Sequence, residues 1–521
     1  MESDFAALES SLRARGAAFG KVEVVGRKLI TKSELKAGEV IISIPLSCCI
    51  TSDMGRDSPW GTALSKRNEK LGDEFRDQVY LAAYYLQFRD KKECFHYPYF
   101  KVFPNNRDDF PVFWSAGQLE LLHGSSIRAS IEGLQECLKR EYETLSSISS
   151  DFQRITLDEF KWARMLISSR AFRLTVKGRE IRVLGPLVDL MDHAEKRRTT
   201  WKYDASTDAL TVCALEDFRV GEEIRCHYGK KSAKKFLLYY GFTPDETLTG
   251  AYDHLNDVEF VMFVHPDFPE AKAKQRLVNE EYACKKYSVD TAFTRANTLE
   301  ALSFMRLLCA SGEEEMTALP KQMSKDYSFR ETPIQPMSIR NEVEVLRMLS
   351  NMMKEQHSHY SDEMRSRAGA SAAAAAAAAA DQKEDVVSGG DKRKRSTNGG
   401  PAYAGRKRAR VKSSSASLVS STSSSLSSES EPPSSQRSAE TVIVGEMAVC
   451  SFYISLAEAV IPALEGLDES TLTVDAEGLS GQEKEYVAYV CYSLQVRRKA
   501  KLDAAKKRKK NKKNKAKTKN A

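Results

Sequence analysis

The 521-residue chain has ten cysteines but no Cys-x-x-Cys pair and no Cys/His cluster at zinc-ligand spacing, which excludes the common structural zinc modules. Several cysteines, such as Cys309 in MRLLCA, sit in apolar runs, where a free thiol acts as a small hydrophobe. The pattern predicts a reduced, intracellular protein, placed in nucleus, nucleolus or cytoplasm. No run of about 18 apolar residues occurs, so no membrane span or membrane partner is expected. The start, MESDFAALESSLRARG, lacks a basic opening followed by an apolar core and does not read as a secretory signal. The basic C-terminal stretch has no interleaved aromatics, so base stacking is not indicated there.

The net charge of +7 conceals a division. Residues 497–521 hold fourteen Lys/Arg against one acid, Asp503, and residues 392–412 hold nine Lys/Arg and no acid, leaving −15 for the rest of the chain. An acidic body carrying two basic tracts argues against a generally basic nucleic-acid-binding domain. The tracts suit a nuclear address, or an arm giving salt-sensitive contact with RNA or a ribosome.

The length exceeds what one hydrophobic core usually serves, and two or more domains are expected. Residues 21–51 alternate as strands, with KAGE as a turn before the β-branched run Val40–Ile44. From about 73 to 165 the apolar spacing turns helical, as in DEFRDQVYLAAYYLQFR. The segment TLDEFKWARMLISSRAF opens on a capping box, Thr156 with Glu159. From Ile181 to Phe242 strand patterns return, TTWKYD and LTVCALE around the polar turn ASTDA, then GEEIRCHYG read as a strand and a short helix. Beyond Asp245 the chain reads mostly helical to about 500. It is interrupted at about 365–439 by an alanine run, a basic tract and a serine-rich stretch, a composition expected to be disordered. Residues 501–521 read as a disordered basic tail.

The residues that bear on chemistry cluster at two short signatures. One is Pro186, Leu187, Val188, Asp189, Leu190, Met191, Asp192, His193. The other is Gly221, Glu222, Glu223, Ile224, Arg225, Cys226, His227, Tyr228, Gly229, followed by Tyr240-Gly241-Phe242 and preceded, far upstream, by Ser169-Arg170-Ala171-Phe172. Any one of these alone is usually core or turn; their joint order is specific.

In that order they resemble the SET-domain protein methyltransferases, in the branch similar to the Rubisco large-subunit methyltransferase. The resemblance implies an α+β fold: a β-rich split SET domain over 1–245 with a helical insert at about 73–165, then a helical substrate-binding domain over 246–500. It further implies methyl transfer from S-adenosyl-L-methionine to a lysine of a non-histone protein substrate, with no metal. By the same resemblance Tyr228 is the catalytic tyrosine, Phe172 and Tyr240 line the substrate channel, and Gly26, Lys28, Arg170, Asp189, Asp192, His193 and Tyr228 contact the cofactor.

Four positions depart from the family pattern. Asp192 replaces an asparagine, and an ionised carboxylate only accepts hydrogen bonds where an amide also donates. Lys28 replaces the second glycine of a Gly-x-Gly, adding a side chain where backbone would approach the cofactor. Ala233 and Lys235 replace an asparagine and a glutamate. The alternative reading is a SET-fold protein of weak or no catalysis that serves as a protein-binding module.

Overall fold

The computed structural model describes residues 2–66, 76–245, 247, 253–278, 282, 284–319, 328–387, 434–467, 472–473 and 478–519. The fold is α+β, and its sheets are small and antiparallel. After helix α1 (Glu2–Arg13), β1 (Val22–Val25) and β2 (Lys28–Thr31) form a hairpin. Its turn is Gly26-Arg27, with Gly26 at φ +63°, a conformation that favours glycine because it has no Cβ. Strands β3 (Val40–Pro45) and β4 (Ile50–Thr51) then feed two separate three-stranded sheets. One, in the order β4-β6-β5, takes β5 (Phe172–Val176) and β6 (Arg179–Leu184); the other, β3-β8-β7, takes β7 (Thr199–Asp204) and β8 (Ala209–Ala214). The polar ASTDA turn joins β7 to β8, as the pattern predicted.

The helical insert comes between β4 and β5. Its main elements are α2 (Arg76–Phe88), α3 (Ile127–Ile148) and α4 (Leu157–Arg170). The capping box at Thr156 and Glu159 forms: the Thr156 hydroxyl accepts from the Glu159 amide at 3.2 Å, and the Glu159 carboxylate accepts from the Thr156 amide at 2.8 Å. The three helices are locked by a buried cluster in which Arg164 of α4 donates to Glu141 of α3 (2.7 and 3.1 Å) and to Gln78 of α2 (2.8 Å). A guanidinium this buried is tolerable only when its charge and donors are matched. The cluster therefore fixes where α4 ends, and with it Arg170.

GEEIRCHYG does not form the regular strand expected of it. Its residues make isolated bridges to two different partners. The Ile224 amide donates to Leu29 of β2 (2.8 Å), while the Cys226 amide donates to Asp192 (2.9 Å) and the Ala194 amide to Cys226 (2.9 Å). A segment shared between two neighbours cannot run as a continuous ladder with either. This sharing brings the two signatures together. Helix α5 (Ala233–Tyr240) follows and ends on Gly241, φ +77°, whose left-handed conformation stops it.

Downstream, β9 (Asp257–Phe263) and β10 (Cys284–Asp290) make a hairpin packed on α6 (Ala296–Cys309). Helices α7 (Ile339–Val387), α8 (Ser434–Glu465) and α9 (Gly481–Lys519) follow. The described residues of 1–360 and 434–521 form one compact unit, and those of 361–387 lie outside it. Inside that unit, Arg306 of α6 is fully buried and pairs with Glu342 of α7 (2.7 and 2.9 Å), which also accepts from the Tyr486 hydroxyl of α9 (2.6 Å). Lys234 of α5 reaches Glu446 of α8 (3.2 Å) and Asp257 of β9 (3.4 Å), joining the β-rich and helical parts.

Two segments whose composition reads as disordered carry helix where they are described. Of the insert placed at about 365–439, residues 388–433 lie outside the described residues, but the alanine run belongs to α7 and helix resumes at Ser434. Alanine has the highest helix propensity, and α7 extends a turn already nucleated by packing. The basic tail, read as disordered over 501–521, continues α9 to Lys519 for the same reason: Lys, Arg and Ala are all good helix formers. Helix α8 is long and apolar enough to cross a membrane, against the expectation of no such run. Its buried stripe of Val442, Ile443, Val449, Tyr453, Leu456 and Val460, with buried Glu446 paired to Lys234, makes it a core helix here.

Candidate functional site

Two cavities meet where α4, the Leu187–Met191 turn and the Tyr228 segment converge. The larger, about 910 Å³, is lined by Gly26, Arg27, Lys28, Phe103, Asn105, Asn106, Phe110, Trp162, Leu190, Asp192 and Phe242 among others. The smaller, about 530 Å³, is lined by Phe172, Trp201, Met191, Arg173, Arg182, Lys231, Lys235 and Tyr239 among others. Five residues line both: Ser169, Arg170, Asp189, Tyr228 and Tyr240. The tyrosines thus stand in a common wall.

Backbone strain helps shape that wall. Leu187 holds φ +65°, unusual for a leucine, and begins the short turn Val188–Leu190 that presents Asp189. A strained residue so deeply buried is held by its surroundings. Asp189 is 3% exposed at its side chain, and Arg170 donates both to its carbonyl (2.9 Å) and to its carboxylate (3.3 Å). Burial raises the Asp189 carboxyl above its ordinary range; Arg170, Tyr99 and Arg27 pull against that rise. Asp189 is therefore the anchor of Arg170 rather than a free ligand. The Arg170 Nε is buried and makes no hydrogen bond among the described residues.

Tyr228 is fixed at three points. Its hydroxyl donates to the Met191 carbonyl at 2.8 Å, its amide donates to His193 Nδ1 at 3.2 Å, and its ring stacks on Tyr240 with centroids 5.1 Å apart. Burial, with Cys226 and Asp192 nearby, holds its pKa well above the tyrosine range, and burial lifts Tyr240 to about 12. Both phenols stay neutral at physiological pH. With its proton committed to Met191, the Tyr228 oxygen is left as an acceptor.

The structure separates the predicted residues. Phe172 lines the smaller cavity, its ring edge-on to Trp201 at 5.3 Å. Gly26, Lys28 and Asp192 line the larger one. Lys28 sits at its edge, half-exposed, with its ammonium on Glu223 at 3.1 Å. Asp192 opens into the cavity, its carboxyl raised by lost hydration and by Glu223, against Lys28, Arg225 and Arg170. His193 is not among the residues that line either cavity. It accepts a hydrogen bond at Nδ1, its pKa is lowered to about 4 by burial, His227 and Lys231, and its ring lies 4.6 Å from Phe236. It is a neutral brace for Tyr228.

Sequence reasoning passed over Arg27, Tyr99 and Trp201. Arg27 donates to the Val102 carbonyl (2.7 Å) and lines the larger cavity; burial and then Arg170 lower its pKa. Its place between Gly26 and Lys28 was the available signal. Tyr99 is buried beside Asp189 from within the insert, and nothing in YPYFKVFP marks it. Trp201 was legible only as a strand residue.

A split β-rich domain whose two signatures are brought into one wall between two cavities is the arrangement of a SET domain. The chain matches the SET domain model over residues 26–229 and the Rubisco LSMT substrate-binding model over residues 265–387. The chain thus carries a region similar to a SET domain, followed by one similar to the Rubisco LSMT substrate-binding domain. Its fold aligns with the structure of Rubisco LSMT bound to AdoMet at a TM-score of 0.59 and 17% identity, over 93% of this chain and 99% of that one. It aligns similarly with the SET domain of LSMT bound to lysine and AdoHcy, TM-score 0.58, 16% identity, over 94% and 99%.

Among proteins similar in sequence are SET domain-containing protein 8 of Schizosaccharomyces pombe, 27% identical over 43% of this chain and 53% of that one, and the actin-histidine N-methyltransferase of Gallus gallus, 23% over 45% and 41%. Another is the chloroplastic [fructose-bisphosphate aldolase]-lysine N-methyltransferase of Arabidopsis thaliana, 27% over 46% and 52%. The match thus spans about half the length of these relatives.

Proposed function

We propose that this chain is an S-adenosyl-L-methionine-dependent protein-lysine N-methyltransferase acting on a non-histone protein. The observation that carries this is the wall of Tyr228, Tyr240 and Arg170 shared by two cavities, which lets a donor and an acceptor enter from opposite sides and meet. The relatives' protein methyltransferase activities, on lysine and on histidine, support the same reaction class.

The larger cavity fits the cofactor. Its volume lies in the range of small-molecule sites, and it offers Phe103, Phe110 and Phe242 to a base and Asn105 and Asn106 to polar edges. It also offers the cations Arg170 and Arg27 to a carboxylate. Gly26, with no side chain, lets the β1–β2 turn border the ligand. When bound, the cofactor supplies an electrophilic methyl group and a cationic sulfonium.

The residues of the smaller cavity position the acceptor. Phe172, Trp201 and Met191 form an apolar passage suited to an alkyl chain, which favours lysine over histidine. A free lysine amine has a pKa of about 10.4 and must lose its proton to attack. Apolar walls, with Arg170 and Lys231 as cationic neighbours, lower that value. The Tyr228 oxygen, its own proton held by Met191, accepts from the amine and orients its lone pair along the line of transfer. Neither tyrosine acts as a base, because both are neutral and raised in pKa. Positioning and desolvation thus supply most of the rate.

The basic tail supports a ribosomal or translation-associated substrate and contact with RNA or a ribosome, and the tracts at 392–412 and 497–521 support delivery to nucleus or nucleolus. Titration calorimetry with S-adenosyl-L-methionine tests the proposal. Saturable one-to-one binding is expected, and no binding would leave only the protein-binding module.

A further inference from the structure

The mouth of the smaller cavity is strongly one-signed. Arg173, Arg182, Lys231 and Lys235 line it together with Arg170, and its only lining acid is Asp189, which is buried beneath Arg170. Of the four outer cations, Arg173 pairs with Glu180 at 3.2 Å across a largely exposed contact. Lys231 lies over the Tyr240 ring at 5.3 Å and donates to the Tyr228 carbonyl. Arg182, half-buried, has Asp77 and Glu180 in its wider field. Among the described residues Arg182, Lys231 and Lys235 form no ion pair. The cations crowd one another: Arg173 depresses Arg182, and Lys235 depresses Lys231, in each case after burial. An anion entering the mouth would relieve both repulsions. The concentration is local, because the chain outside its two basic tracts is net acidic.

We infer that this rim selects a substrate segment in which the target residue is flanked by aspartate or glutamate. The inference rests on the methyltransferase reading and narrows it from any accessible lysine to one in an acidic stretch. Lys235 occupies the position where the family pattern has a glutamate, so the departure inverts the charge offered to the substrate. The cations line the same cavity of about 530 Å³ as the apolar residues Phe172, Trp201 and Met191. That suits a short peptide better than a polynucleotide, whose phosphates call for a groove that tracks the backbone.

The test uses the full chain and three fluorescent 13-residue peptides with a central lysine, flanked by glutamates, by glutamines or by lysines. Binding is followed by anisotropy and methylation by labelled methyl donor. The glutamate peptide is expected to bind about tenfold more tightly than the glutamine peptide at low salt, the combined effect of two or three partly exposed ion pairs. That ratio should shrink severalfold at 0.5 M salt. Lys235→Glu, an exposed change at the start of α5, should bring the ratio close to one, as should Arg182→Gln, while Arg182→Lys should restore most of it. Equal binding of the three peptides, preference for the lysine-flanked one, or no binding would overturn the inference. So would RNA displacing every peptide alike without any peptide preference. Charge-dependent binding without methylation of any peptide would keep the inference and refute the methyltransferase reading.

Discussion

Replacing Arg170 by methionine isolates the buried pair on which the shared wall depends. Asp189 is 3% exposed and Arg170 18%, with contacts of 2.9 and 3.3 Å. Removing the cation leaves a buried carboxylate without its direct partner, a change of about 3–5 kcal/mol in comparable buried pairs. The cost must depend on pH. Burial already raises the Asp189 carboxyl, so above the unfolded value of about 3.9 the native state holds more protons than the unfolded state. Stability therefore falls as pH rises through that window. Without Arg170 the folded value rises further and the window extends upward. Near pH 4 the variant should lose only about 1–2 kcal/mol, the price of unmade hydrogen bonds; at pH 8 it should lose the full amount. Urea denaturation of both proteins at pH 4.5, 6 and 8 measures the gap, and Arg170→Met with Asp189→Asn should recover most of it. A gap that is constant with pH, or below about 1 kcal/mol at pH 8, would refute the reasoning.

Asp192→Asn removes the carboxylate that distinguishes this chain from the family asparagine. It should weaken S-adenosyl-L-methionine about fivefold while leaving the neutral thioether S-adenosylhomocysteine nearly unchanged, as expected for one partly solvated charge near a cation; calorimetry with both ligands reads this. Glu342→Gln uncouples the fully buried Arg306 and should lower unfolding free energy by about 3–5 kcal/mol. Denaturant midpoints check it, and a loss under about 1 kcal/mol would count against the pair as a fixed link among α6, α7 and α9.

Part of the site was legible because its residues sit in short, ordered signatures: Tyr228 and Tyr240 stand in the wall shared by the two cavities, and Phe172 lines the smaller one. The pattern names His193 without saying which way it faces. Only the bridge between Cys226 and the 192–194 segment shows its ring turned to Tyr228. Arg27 and Tyr99 were missed because they reach the site from a turn and from the insert, far from it in sequence. The alanine run and basic tail read as disordered by composition, while their described residues take the helix that Ala, Lys and Arg favour. GEEIRCHYG read as a strand because its local pattern is right; sharing between two partners is a tertiary property that no local pattern carries.

The central claim is that Tyr228 holds an amine in line with a methyl donor bound across the shared wall. The direct measurement is transfer of labelled methyl from S-adenosyl-L-methionine into lysate proteins by the chain and by Tyr228→Phe, with donor binding and thermal unfolding measured in parallel. The account predicts labelling at lysine by the chain, and at least a hundredfold less by the variant, roughly the scale of losing one preorganised polar contact at the transition state, with fold and donor affinity kept. Equal labelling by the variant, or none by the chain despite bound donor, would contradict it.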